Sequence, residues 1–239
     1  MWIKICANTS LEDALLAAQL GADAAGFVFA PSGRRVTPEQ AARITVQLPA
    51  SVERIGVFPG LDAEEIARVA TVAHLDAVQL HGGVDLDLLR RLRPLLPASV
   101  TIIQAVSWTV QPVDSIDPSD DAGWAAQSAA EVAERLRTLA ASGLVTRVLV
   151  DSKVGAASGG TGVPFDWAAA RAVLSAAGKG LDLIVAGGLN PENVAQAIAE
   201  LSPWGVDVAS GVESSPGRKS AEKLAAFLSA ARTSGEIPA

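Results

Sequence analysis

Few side chains in this sequence suit proton transfer or nucleophilic chemistry, and they lie far apart along it. There is one cysteine, Cys6, and there are two histidines, His74 and His81. Cys6 sits two residues after Lys4 in a short apolar run, WIKIC. Strand alternation puts Lys4 and Cys6 on one face and Ile3 and Ile5 on the other. A nearby ammonium stabilises a thiolate and lowers the ~8.5 of a free thiol. Cys6 is therefore a candidate base or nucleophile. The plain alternative is a small buried hydrophobe, the usual part of a lone cysteine. A second candidate, Asp151, closes the apolar run RVLVD. Burial at a strand end raises a carboxyl pKa and lets it donate a proton near neutral pH. The alternative is an aspartate that caps the loop begun by Ser152 and Lys153. Together the two would form an acid/base pair presented from different strands to one pocket.

Three glycine-containing stretches look suited to an anion. They are Gly159-Gly160-Thr161-Gly162, then Gly187-Gly188 before Leu189-Asn190, and Ser210-Gly211. Glycine lets backbone N–H groups approach an anion closely. For any one pair a tight turn would explain as much. No segment has the GxxxxGK[ST] form of a nucleotide P-loop. Ser32-Gly33-Arg34-Arg35 offers a guanidinium for bidentate recognition of a carboxylate, or else a solvated surface pair. His81, in QLHG, is a candidate pocket residue or a hydrogen-bonded structural histidine, whereas His74 ends a predicted helix. Lys4, Arg34 and the glycine-loop amides give a local positive field that a net charge of −7 does not oppose.

These residues need a frame that brings distant segments together. Short β-branched runs alternate with alanine- and leucine-rich helical runs. Strands are predicted at 2–6, 23–29, 53–58, 76–80, 100–106, 146–151, 182–186 and 206–209. Helical patterns fill 11–20, 38–48, 62–73, 85–95 and 191–201, with Thr37-Pro38, Asp62 and Asn190-Pro191 as start signals. Eight strand–helix units predict a (β/α)₈ TIM barrel of the α/β class, formed by 1–239 as one domain. A doubly wound open sheet alternates in the same way, but no GxGxxG follows the first strand. An aspartate opens the second, fourth, seventh and eighth strands (Asp23, Asp76, Asp182 and Asp207), a weak internal echo. Residues 107–127, rich in Pro, Ser and Asp, are expected to be a loop insertion after the fifth strand. A tolerated surface excursion is the preferred account, and a lid carrying Trp108 or Trp124 the other. Residues 233–239 are expected to be a frayed tail. In a barrel, Cys6, Asp151 and the glycine loops after strands seven and eight all fall at the catalytic end.

Composition removes several classes. Charged residues make up 19% of 239, which argues against disorder. A pI near 4.9 and the lack of a basic run disfavour nucleic acid. One cysteine excludes an intrachain disulfide framework and a cysteine-rich zinc site, and no metal is expected. Mean hydropathy is +0.31, yet no apolar run approaches the ~18 residues of a membrane span. The N-terminus lacks a signal-peptide pattern, so a cytoplasmic monomer or homodimer without membrane partners is expected.

The ordered motifs resemble the phosphoribosylanthranilate isomerase family of tryptophan biosynthesis. They are KIC at 4–6, SGRRV at 32–36, QLHG at 79–82 and VDS at 150–152. GGTG follows at 159–162, FDW at 165–167, AGGLNPENV at 186–194, GVDVASGVE at 205–213 and PGRKS at 216–220. The resemblance implies a (β/α)₈ barrel without metal or organic cofactor. It also implies an Amadori rearrangement of N-(5′-phosphoribosyl)anthranilate to 1-(2-carboxyphenylamino)-1-deoxyribulose 5-phosphate. It assigns the base to Cys6, the acid to Asp151 and the anthranilate carboxylate to Arg34. Phosphate falls to Gly187, Gly188, Ser210 and Gly211, and Lys4, His81 and Gly160 join the substrate-binding set. Departures from the family pattern are Ala7 for a glycine, Arg35 for an aromatic, Val163-Pro164 for a polar pair and Ser220 for an acid. Two rivals stand beside this: another phosphosugar isomerase or epimerase, and a non-catalytic phosphometabolite-binding barrel.

Overall fold

The computed structural model describes residues 1–110, 121–154 and 165–235. Eight parallel strands close into a barrel in sequence order. They are β1 (Trp2–Ile5), β2 (Ala24–Val28), β3 (Glu53–Pro59), β4 (Ala77–His81), β5 (Thr101–Val110), β6 (Arg147–Val154), β7 (Asp182–Val185) and β8 (Gly205–Val208). Closure pairs β1 with β8, with Lys4 opposite Asp207. Helices α1 (Leu11–Gln19), α2 (Pro38–Thr45), α3 (Ala63–Val72) and α4 (Leu86–Leu92) follow the first four strands. After them come α5 (Asp121–Ser142), α6 (Trp167–Ala177), α7 (Val194–Leu201) and α8 (Ala221–Gly235). Side-chain oxygens of Ser10, Thr37, Asp62, Asp85 and Asp166 accept N–H groups at helix starts. Each satisfies a donor the helix itself leaves unpaired.

Strand alternation sorts the core into two layers. Outward residues such as Ile3, Ile5, Phe27, Phe58, Val78 and Val206 pack under the helices. Inward ones are small or aliphatic: Ala24, Ile55, Ala77, Ile103, Ala105, Leu149, Ile184 and Ala186. Small inner side chains leave room above them for polar groups. At the N-terminal end, Trp2 and Trp204 pack at 5.2 Å between ring centroids. The Arg147 guanidinium lies 4.7 Å from the Trp204 ring centre and pairs with Glu53 at 2.6 Å. That end is closed and the opposite end is open. Two of the strand-opening aspartates act as clips between strands: Asp23 accepts the Ile3 N–H at 2.7 Å and Asp76 the Arg54 N–H at 2.9 Å. Asp207 does not open its strand. It is the third residue of β8, and its side chain meets Lys4 inside the barrel.

The segment after the fifth strand is shorter than the sequence pattern indicates. Residues 107–110 continue β5, paired with β6 as far as Val110 opposite Val154. Trp108 is 2% exposed and stacks on Phe165 at 5.4 Å, so it belongs to the core and not to a lid. The Thr109 N–H donates to Ser128 Oγ at 2.7 Å, tying the strand extension to α5. Helix α5 takes up 121–127, and the rest of the excursion lies outside the described residues, as does any part for the Trp124 side chain. At the C-terminus α8 runs through Gly235, beyond the expected start of fraying at 233. Arg232 anchors it, donating to Gly21 O at 2.7 Å and to Asp23 at 2.6 Å. After β8, a hairpin of β9 (Glu213–Ser215) and β10 (Arg218–Lys219) folds back toward β1, an element the strand pattern did not announce.

Candidate active site

The open end of the barrel holds a cavity of about 530 Å³. Cys6 reaches it from the end of β1, Asp151 from β6 and Asp207 from β8. Arg34 enters from the loop after β2, and His81 from the end of β4. Gly187 and Gly188 follow β7, and Ser210 and Gly211 follow β8. With Val57 and Pro59 of β3, seven separate stretches of chain converge, as barrel closure requires. Gly160 lies outside the described residues. Lys4 does not line the cavity. It is fully buried beneath it, donating to Gln79 Oε1 at 2.9 Å and Asp207 Oδ1 at 3.0 Å. Its charge acts on the groups above it, not by contact with a ligand. Among the described residues no cluster of three or more His, Cys, Asp and Glu side chains is placed to hold a metal ion.

Local backbone geometry fixes Cys6. Its N–H donates to Val208 O at 2.8 Å and its carbonyl accepts from Lys219 Nζ at 2.6 Å. On β2, Gly26 makes the room: a Cβ there would lie 2.8 Å from the Cys6 sulfur and 2.9 Å from Lys4 Cε. The chain then turns through Ala7 at φ 63, a left-handed conformation. An alanine there costs ~1–2 kcal/mol more than a right-handed one. This gives physical content to the departure from glycine noted in the sequence.

The electrostatics separate the acid from the base. Burial, reinforced by the Asp207 carboxylate, pushes Asp151 from 3.8 up to about 7. That matches the expectation for a carboxyl at a strand end. The Cys6 thiol goes the other way from expectation. Burial pushes it above its ordinary value, and Lys4 and Lys219 only partly offset that. Asp207, paired with Lys4 at 3.0 Å, adds a negative charge that also opposes the thiolate. Burial opposes the Lys4 charge too, but Asp207 and Cys6 outweigh it and hold the ammonium above its usual range.

Arg34 is likewise not the unencumbered clamp the sequence pattern describes. Its Nε lies 3.0 Å from Glu213 Oε1 and its Nη2 lies 2.7 Å from Glu213 Oε2. Arg35 beside it is exposed, and so is His74. The β7 loop carries Gly187 at φ 85, and the N–H groups of Gly187 and Gly188 donate to no backbone carbonyl among the described residues. Sequence reasoning gave no site role to Asp207, Gln79, Glu213, Lys219 or Gly26. Glu213 and Lys219 stand in the GVE and PGRKS motifs, but neither motif says which side chain turns inward.

With this geometry in place, relatives are informative. A family model described as N-(5′-phosphoribosyl)anthranilate (PRA) isomerase matches residues 3–230. The chain belongs to the phosphoribosylanthranilate isomerase family. An N-(5′-phosphoribosyl)anthranilate isomerase of Rubrobacter xylanophilus is 40% identical over 232 residues, covering 97% of this chain and 98% of the relative. The one from Desulfitobacterium hafniense (strain DSM 10664 / DCB-2) is 39% identical over 245 residues, with 96% and 97% covered. The crystal structure of phosphoribosylanthranilate isomerase from Thermotoga maritima superposes with a TM-score of 0.79 at 35% identity, covering 98% of this chain and 99% of that one. A family structure in complex with reduced 1-(o-carboxyphenylamino)-1-deoxyribulose 5-phosphate superposes at 0.76, with 34% identity and the same coverage. The family's closed eight-stranded barrel is the barrel seen here.

Proposed function

We infer that the protein converts N-(5′-phosphoribosyl)anthranilate to 1-(2-carboxyphenylamino)-1-deoxyribulose 5-phosphate, an isomerisation in tryptophan biosynthesis. The observation that carries this reading is the convergence of Cys6 and Asp151 on one cavity in a chain of this family. The reaction starts from a ribosyl amine in its furanose form. Asp151, with a pKa of about 7, gives its proton to the ring oxygen. The C1′–O bond breaks, and the anthranilate nitrogen lone pair forms a protonated C1′=N Schiff base. The Cys6 thiolate then takes the C2′ proton. The C2′–H electrons become a C1′=C2′ double bond, and the C=N electrons return to nitrogen. The resulting enolamine gains a proton at C1′ and loses one from the C2′ hydroxyl, giving the ketone. Each positioned proton transfer contributes on the order of 10²–10⁴-fold.

In this reading the loops after β7 and β8 hold the phosphate through Gly187, Gly188, Ser210 and Gly211. Such binding, remote from the reacting carbons, positions them. Arg34 takes the anthranilate carboxylate, and His81 borders the same cavity. The steps are proton transfers between side chains and substrate, so the proposal includes no metal or organic cofactor. A cytoplasmic protein acting as one barrel domain is part of the same reading. Among the described residues no helix is long and apolar enough to cross a membrane.

The test is a turnover assay on phosphoribosylanthranilate generated in situ, following loss of its fluorescence and identifying the ketose product. Formation of the 1-deoxyribulose 5-phosphate supports the reading. A folded protein that binds the reduced product analogue and forms no product would instead favour a binding-only barrel.

A further inference from the structure

The guanidinium of Arg34 has two hydrogen-bonding edges, and a neighbour occupies one. Glu213 takes the side edge, with Nε 3.0 Å and 3.1 Å from its two oxygens and Nη2 2.7 Å from Oε2. Nη1, on the end edge, donates to no described residue, and Arg34 lines the cavity. The Glu213 side chain is only 4% exposed. It is held in turn by the Gly217 N–H at 3.2 Å and by Lys219 Nζ at 3.4 Å. The Lys219 side chain is fully buried and also donates to the carbonyls of Cys6 and Ala209. The β9–β10 hairpin therefore ties Arg34, in the loop after the neighbouring strand β2, to the backbone of Cys6.

Charge explains why the arrangement has three members. An arginine paired with a glutamate alone has no net charge and attracts a second carboxylate only through its unoccupied N–H donors. Burial pulls the Lys219 pKa down, with Glu213 partly offsetting it, and in its ammonium form Lys219 leaves the triad one positive charge, presented through the partly exposed Arg34. Burial pushes the Glu213 carboxyl up, but the Arg34 hydrogen bonds and Lys219 more than reverse this, so it stays ionised. A planar guanidinium can serve two carboxylates at once, one on each edge, whereas a lysine ammonium has no such division.

We propose that Glu213 is a positioning residue that grips the side edge of Arg34 and presents the end edge to the substrate's carboxylate. The proposal rests on the function read above, which supplies that carboxylate. Glu213 then sets selectivity for the anthranilate acid group and does not touch the reacting carbons.

The experiment compares two substrates on the parent and on Glu213→Gln: phosphoribosylanthranilate and phosphoribosylaniline, which lacks the carboxylate. The glutamine keeps the shape but loses the charge and one acceptor. For the carboxylated substrate KM should rise about tenfold, the loss of a charge-assisted hydrogen bond, with kcat changed less than about threefold. The preference for the carboxylated substrate should fall by a similar factor. In an Arg34→Ala background, adding Glu213→Gln should produce no further loss of preference. Equal losses on both substrates would mark Glu213 as merely structural and overturn the proposal. A lower KM would overturn it too, showing that Glu213 competes with the substrate for Arg34. If Glu213→Gln does not fold, Arg34→Lys carries the test: it should lose the preference as Arg34→Ala does, and an undiminished preference would refute the two-edge division. A parent that turns over neither substrate defeats the functional reading itself. A parent that turns over both, with a preference insensitive to Glu213, defeats only this inference.

Discussion

Replacing Asp151 with asparagine should stabilise the protein while disabling it. The folded carboxyl has a pKa of about 7 against 3.8 for an unperturbed aspartate, because burial and Asp207 oppose its charge. Between those values the folded state keeps a proton that the unfolded state has lost. More protons bound in the folded state means stability falls as pH rises. The contribution is intact below pH 4, drains away from about pH 4 to pH 7 and is gone above. A shift of about three units corresponds to at most about 4 kcal/mol at ~1.36 kcal/mol per unit. Asparagine fills the same volume with no charge to desolvate, so it escapes this loss. Urea unfolding of parent and Asp151→Asn at pH 5 and pH 8 is the assay. The stability gap in favour of the variant should widen by up to about 3 kcal/mol between them, the part of the drain lying above pH 5. A gap that stays constant, or a variant less stable at pH 8, would refute the reasoning that the carboxyl is held protonated by its surroundings.

Other outcomes follow from the same geometry. The productive form needs Asp151 protonated and Cys6 ionised, yet burial holds the acid at about 7 and pushes the thiol above its ordinary range, so the two lie in the opposite order. Only a minor fraction of molecules is then productive, and kcat/KM should climb to a plateau starting near pH 7 and fall only once the raised thiol itself ionises. Residual turnover of Asp151→Asn should lack the inflection near 7, and one that keeps it would reassign that group. Arg34→Ala should raise KM for the carboxylated substrate roughly tenfold or more with kcat nearly unchanged, as measured by steady-state kinetics. Trp108→Ala should cost about 3–5 kcal/mol in chemical denaturation, because the ring is buried against Phe165 and is not part of a tolerated surface loop.

What the sequence could and could not disclose follows from the range of each interaction. Alternation in WIKIC correctly puts Ile3 and Ile5 toward the helices and Lys4 toward the barrel axis, since that is a property of neighbouring residues. The position of Asp151 at the end of an apolar strand likewise foretells a raised pKa. The raised thiol is not legible in the sequence, because its burial and the opposing charge of Asp207, 203 residues from Lys4, arise only when the barrel closes and β1 meets β8. Arg34 and Glu213 are separated by 179 residues, so the sequence gives no hint that the guanidinium is half occupied. Residues 107–110 were hidden by composition: SWTV alternates as a strand does, but the proline and aspartates after it drew the whole stretch into one loop.

The central claim is that Cys6 and Asp151 move protons in a rearrangement of phosphoribosylanthranilate. Its most direct test is single-turnover conversion of that substrate by the parent, Cys6→Ala and Asp151→Asn, alongside binding of the reduced product analogue to each. The account predicts turnover in the parent and a loss on the order of 10²–10⁴-fold in each variant, with analogue affinity largely kept. Variants that react at the parent's rate, or that lose affinity and rate to the same degree, would contradict it.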